Sequence, residues 1–182
     1  YVSYANLDHR LDRLEHMNRE LSRVGIQAIR QRSIPWKEAD YNNTKYRMMY
    51  ERTPGALGCL LSQVEIIKKA FEVGSNAMVF EDDLIFATDI LERFDYIEKY
   101  LEGKKWDIFF LGGTFHSPAY WHPHGPSGMR PDVSAHLGKD FDHTDDTRIK
   151  RTYGAFSTHA YIVNYQSIPH ILALIEKHVH ES

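Results

Sequence analysis

The sequence predicts an α/β domain with a mainly parallel central sheet and helices on both faces, from three observations. Short apolar runs alternate along the chain with longer segments of helical period. The runs themselves are nearly continuous in apolar residues, as 77–80 and 108–111 show, which suits strands covered on both sides. With 182 residues, 42% of them hydrophobic, the chain is long enough to bury a core without disulfides or a structural metal.

The elements follow in order. Residues 1–7 read as a short strand. Leu11, Leu14, Met17, Leu21 and Val24 then recur at helical spacing up to Gly25, a fitting C-terminal stop. Residues 26–34 predict a second strand, and the polar stretch 38–52 a loop. Pro54 opens a second helix with Ala56, Leu60, Val64, Ile67 and Phe71 on its apolar side, closed by Gly74. The run 77–80 is the next strand and ends in Glu81-Asp82-Asp83. A helix starting near Thr88, with Ile90, Leu91, Phe94, Ile97 and Leu101 apolar, leads to a strand at 106–111.

Regular patterning then lapses over 112–153, a stretch holding five of the 11 histidines; a connection that long points to a functional loop or to short concealed strands. A strand at 161–163 and a helix over 167–179, with Ile168, Ile171, Leu172, Ile175 and Val179 apolar, complete the chain. No internal repeat or second-domain boundary is visible, so residues 1–182 read as one domain. An opening at Tyr1 without an initiator methionine suggests part of a longer protein, and without a signal peptide in this stretch the expected location is cytoplasmic.

Composition excludes several classes. No apolar run nears the roughly 20 residues that span a bilayer. A net charge of −3 offers no footprint for a nucleic-acid partner. The charge is uneven, however: residues 81–150 hold 14 acidic and 8 basic groups, so acid is concentrated where a cation could sit. The one cysteine, Cys59, precludes an internal disulfide and, among Leu57, Leu60 and Leu61, reads as a small buried hydrophobe in a protein of a reducing compartment. Neither a P-loop nor a dinucleotide-binding glycine pattern is present, which argues against a nucleotidyltransferase or similar enzyme.

The triplet Glu81-Asp82-Asp83 carries the chemistry. Three adjacent carboxylates at a strand end repel one another unless donors or a cation compensate them. Strand alternation puts Glu81 and Asp83 on one face and Asp82 on the other. Such oxygens suit Mn²⁺ or Mg²⁺, which in turn suit phosphate. In sheets of this kind ligands bind beyond the carboxyl ends of the strands, where Asn6-Leu7-Asp8-His9-Arg10 would share an edge with the triplet and Arg10 and Arg13 could pair with a diphosphate. The opposing reading is a solvated acidic turn that caps the next helix.

Four segments in order, residues 1–8 with Arg10 and Arg13, 55–62, 79–83 and 158–163, resemble glycosyltransferase family 25, which includes lipooligosaccharide and collagen galactosyltransferases. The resemblance implies a GT-A fold, a UDP-sugar donor, a divalent metal at a DXD-like triplet and inversion at the anomeric carbon. It implies that Asn6, Leu7 and Asp8 line the nucleotide pocket together with Arg10, Arg13 and Asp82, that Glu81 and Asp83 bracket ribose and metal, with Asp83 the direct ligand, and that His159 is the third ligand. The segment at 55–62 is followed by Gln63 where the family has histidine.

An aspartate or glutamate is the expected base for deprotonating the acceptor hydroxyl. Asp145 and Asp146 are the candidates, with a solvated turn as the alternative; Asp107 suits a structural cap. His122 and His124, with His116, His136 and His143, could hold a transition metal, while Tyr120 and Trp121 better suit an acceptor loop that stacks on sugar rings. The function expected is transfer of a hexose, galactose in the first instance, to a glycan, lipid-linked saccharide or protein, with peripheral membrane contact allowed. The alternative is a catalytically idle domain that keeps the nucleotide or glycan pocket.

Overall fold

The computed structural model describes residues 1–38, 53–115, 142–151 and 155–181. Strand β1 (Val2–Asn6) enters helix α1 (Leu11–Val24), which Gly25 ends in the left-handed region at φ 71°, its N–H reaching back to the carbonyls of Leu21 and Ser22. Strand β2 (Ile29–Arg32) leads through a 3₁₀ turn at Trp36–Glu38. Helix α2 (Pro54–Glu72) has its proline at the first turn, where no intrahelical N–H bond is lost. Then come β3 (Ala77–Glu81), α3 (Ile90–Leu101), β4 (Ile108–Phe115), the short ribbon β5 (Asp142–His143) and β6 (Lys150–Arg151), β7 (Ala155–Val163) and α4 (Ile168–Glu181).

The main sheet has the order β2-β1-β3-β7-β4. Strands β2, β1 and β3 are parallel neighbours, while β7 runs antiparallel between β3 and β4. The main sheet is thus mainly parallel in direction, as expected, with β4 running the same way as β1, β2 and β3 and β7 reversed between its neighbours. Local periodicity carries no information on direction, and only the pairing of Val79 with Tyr161 and of Phe110 with Tyr161 reveals the reversal.

Helices cover both faces, as predicted. On one face Ala77, Val79, Tyr161 and Val163 pack against Ile66, Ile67 and Ala70 of α2 and Ile168 of α4. On the other, Tyr4, Phe80 and Ala160 meet Met17, Leu21 and Val24 of α1, with Ile90 and Phe94 of α3 beside them. Alternation therefore gives the odd positions of β3 to the α2 side and the even ones to the α1 side.

The buried face of α2 differs from the predicted one. Of the five apolar positions expected, only Ile67 is buried, and Ala56 and Phe71 are exposed. Leu57, Gly58, Ser62, Gln63 and Ile66 face inward instead. The first turns of α2 pack on the backbone leaving β2, so small and polar residues are needed there. Leu60, Leu61 and Val64 line a small groove shared with Leu172 and Ile175 of α4.

Candidate functional site

The carboxyl ends of β1 and β3, the loop leaving β2 and the start of α2 enclose a cleft of about 670 Å³. Its walls include Ala5, Leu7, Arg10 and Arg13, then Ser33 to Lys37, then Gly55, Gly58, Cys59, Ser62 and Gln63, with Glu81 and Asp82 at the acidic end. The volume lies within the range that encloses small-molecule ligands.

The wall beyond β2 is pinned to α2 by two residues one helical turn apart. Ser62 Oγ accepts the Ile34 N–H at 2.8 Å and donates to the Gly58 carbonyl at 2.6 Å. Gly58 lacks the Cβ that would stand 2.7 Å from the Ile34 carbonyl oxygen. The segment 55–62 thus shapes the cleft by letting a loop lie directly on a helix.

At the acidic end β3 stops at Glu81, and Asp82 and Asp83 lie in the turn that follows. Glu81 lies on the α2 side, where β7 runs alongside with Phe80 opposite Ala160, so His159 comes next to Glu81. His159 Nδ1 and Glu81 Oε2 are 2.9 Å apart. One ligand atom each from Glu81, Asp83 and His159 all lie within 4.8 Å of one another. Two carboxylates and an imidazole suit Mn²⁺ better than Mg²⁺, which prefers oxygen alone. The set fits the expected cation, and these three could hold it.

Asp82 turns the other way and is buried. Its carboxylate accepts Asn6 Nδ2 at 2.8 Å and Arg13 Nη1 at 2.7 Å. Asn6 in turn accepts Arg30 Nε at 3.0 Å. Arg13 also reaches Asp83, with Nη2 at 3.1 Å from Oδ2. Asn6, expected to line the pocket, is instead a buried support beneath it. Asp8 likewise serves the rim: it pairs with Arg30 at 2.7 Å and Arg32 at 2.8 Å, and these hydrogen bonds hold its carboxyl below the ordinary range. Leu7, Arg10 and Arg13 do line the cleft, with Arg10 held by Asp12 at 2.7 Å.

As a residue Cys59 is exposed on the cleft wall rather than enclosed in the core, with its thiol part-buried against Gln63. Its thiol accepts Gln63 Nε2 at 3.3 Å, and desolvation, followed by the nearby charges of Glu81, Asp82 and Asp83, pushes it up to about 11. Gln63 also accepts the buried Tyr161 hydroxyl at 2.9 Å, so α2 and β7 are joined under the cleft floor. Sequence patterning missed this role of Gln63; its only signal was a polar residue at a position that turns inward.

Asp145 and Asp146 are not brought to this site. Asp145 pairs with Lys104 at 3.0 Å, and both line a polar hollow with Trp106, Asp107 and Ile108, at the start of β4. Ile108 and Ala77 both pair with Val163, so this is the sheet edge where β3 begins, roughly 13 Å of strand away from Glu81. Asp146 accepts the Arg148 N–H at 2.7 Å in a local turn. Asp107 accepts the Ser167 hydroxyl at 2.6 Å, a structural use. Tyr120, Trp121, His116, His122, His124 and His136 lie outside the described residues, as does the His143 side chain.

No described helix is long and apolar enough to cross a membrane. The sequence model for glycosyltransferase family 25, described as an LPS biosynthesis protein, matches residues 4–181. Comparison with curated proteins gives no match.

Proposed function

The chain belongs to glycosyltransferase family 25, and from that premise we propose that it is an inverting, divalent-metal-dependent enzyme that moves a hexose, galactose in the first instance, from a UDP-sugar to a hydroxyl of a glycan, lipid-linked saccharide or protein. Residues 1–182 are read as one GT-A-type catalytic domain. The observation that carries the proposal is the cluster of Glu81, Asp83 and His159 at the rim of a cleft that lies beyond the carboxyl ends of parallel strands.

In this reading Glu81, Asp83 and His159 hold Mn²⁺ or Mg²⁺. A divalent cation bound there would neutralise the charge that grows on the departing diphosphate. Arg10, Arg13 and Lys37 add positive charge along the same cleft. Trp36, 38% exposed on the wall beyond β2, offers a flat ring for stacking. Asp82, fully engaged by Asn6 and Arg13, shapes the acidic end without serving as a ligand. The role of base is not assigned to Asp145 or Asp146, because both face the opposite edge of the sheet. Cleft walls that fix donor orientation supply the entropy advantage on which such a displacement depends.

Calorimetric titration of UDP with and without Mn²⁺, on the wild type and Asp83→Ala, tests the proposal. The expected result is UDP binding that needs Mn²⁺ and is lost in Asp83→Ala. A folded wild-type chain that binds no UDP in either condition overturns the donor assignment. Release of hexose from the UDP-sugar by the same sample separates an enzyme from an idle binding domain.

A further inference from the structure

Arg13 stands in the first turn of α1 and touches two carboxylates that differ in kind. At Asp82 the side chain is only 11% exposed and also accepts the Asn6 amide at 2.8 Å. Removing the arginine there would leave a buried charge without its counter-ion, so this pair holds firmly. At Asp83 the side chain is 46% exposed and the separation is 3.1 Å. Ion pairs this open to water are weak and easily exchanged. Asp83 is at the same time one corner of the cluster with Glu81 and His159, and Arg13 itself lines the cleft.

We propose that Arg13 is a resident counter-ion that shares Asp83 with the incoming divalent cation and so couples cation binding to binding of a diphosphate. The inference rests on the donor-site reading given above. With the cleft empty, Nη2 occupies one Asp83 oxygen and its charge opposes a second cation nearby. A cation that enters the cluster displaces Nη2 from Asp83, while Nη1 remains on Asp82. The released N–H then has an anionic ligand in the cleft as its natural partner. Each ligand removes an obstacle to the other, and by linkage the effect is the same in both directions. A second positioning feature supports the firm half of the device: the Arg30–Asn6–Asp82 chain holds the carboxylate on which Arg13 pivots.

The test uses the full chain and measures Mn²⁺ binding alone, from the electron paramagnetic resonance signal of the free ion, and again with saturating UDP. Arg13→Gln removes the competitor, so Mn²⁺ alone is expected to bind about fivefold tighter than in the wild type, the scale of one exposed ion pair. The gain that UDP adds should shrink by a similar factor. Arg13→Lys keeps the charge but has one ammonium, which stays with buried Asp82, so Mn²⁺ alone should again bind tighter. Mn²⁺ affinity that is unchanged or weaker in Arg13→Gln overturns the proposal, and wild-type affinity in Arg13→Lys overturns it too, since a distant field and not the shared oxygen would then be at work. Should Arg13→Gln fail to fold, Arg13→Lys decides. If the wild type binds no Mn²⁺ with or without UDP, the donor-site reading itself fails; if it binds Mn²⁺ through Asp83 and the Arg13 variants leave that unmoved, only the coupling fails.

Discussion

At the scale of single residues, Gly58 shows how a pattern legible in sequence acquires its reason only in three dimensions. The residue has no need of a left-handed backbone; it is required because an added Cβ would stand 2.7 Å from the Ile34 carbonyl oxygen and 3.3 Å from the Trp36 nitrogen. Both neighbours are backbone atoms that cannot swing aside. Gly58→Ala should therefore displace the wall beyond β2, destabilise the fold by about 1–3 kcal/mol and weaken UDP binding. Melting temperature and calorimetry read the two effects, and an alanine variant identical to wild type in both would show that the wall shifts freely. The acidic triplet was readable in the same way: adjacent carboxylates at a strand end demand compensation whatever the fold. Which carboxylates meet Arg13 was not readable, because α1 is remote in sequence from the triplet.

Between elements, α1 does more than cover the sheet. Its side chains hold the turn that follows the acidic triplet. Glu20 accepts the Phe86 N–H at 3.1 Å, Arg23 donates to the Phe86 carbonyl at 2.7 Å, and His16 Nε2 lies 2.8 Å from the Leu84 carbonyl oxygen. These bonds seat Phe86 edge-on against Phe80 in the core, with ring centroids 5.2 Å apart. Glu20→Ala would leave the Phe86 N–H without its acceptor and Arg23 without its carboxylate partner, with the Phe86 carbonyl still accepting from it. The expected cost is about 1 kcal/mol, since Glu20 keeps some exposure. It should appear as a lower urea midpoint at unchanged slope, and an unmoved midpoint would show that the turn stands without α1. Helical periodicity located α1 correctly yet said nothing of this task, because polar positions on a helix look alike until a neighbouring loop is placed.

Over the whole molecule, carboxylates paired with basic groups contribute stability that acid removes. Asp8, Asp12, Glu20, Asp89 and Asp145 each have their pKa lowered, first of all by hydrogen bonds from arginine or, for Asp145, lysine. A folded-state pKa below the unfolded one gives stability that is present above the ordinary carboxylate range and lost as pH falls through the folded value. The melting temperature should then decline as pH is lowered from about 5 to about 3, with these groups contributing no slope between about 6 and 8. A melting temperature constant down to about pH 3 would count against a role for these pairs, whose exposure to water already limits each one.

Composition and hydrophobic period established an α/β chain with helices on both faces, the order of its main elements and the acidic strand end, since each follows from local spacing and the need to bury apolar surface. The family resemblance read from short motifs agrees with the match over residues 4–181. The tertiary structure alone decided that β7 runs against its neighbours, that the first turns of α2 bury Gly58, Ser62 and Gln63 where larger apolar residues were expected, and that Cys59 is exposed. It also placed Asp145 at the far edge of the sheet, while Glu81, Asp83 and His159, which the family resemblance already groups, lie together at the near one. The physical reason is common to all of these: strand direction and the approach of remote segments depend on pairings between residues tens of positions apart, which no local period encodes.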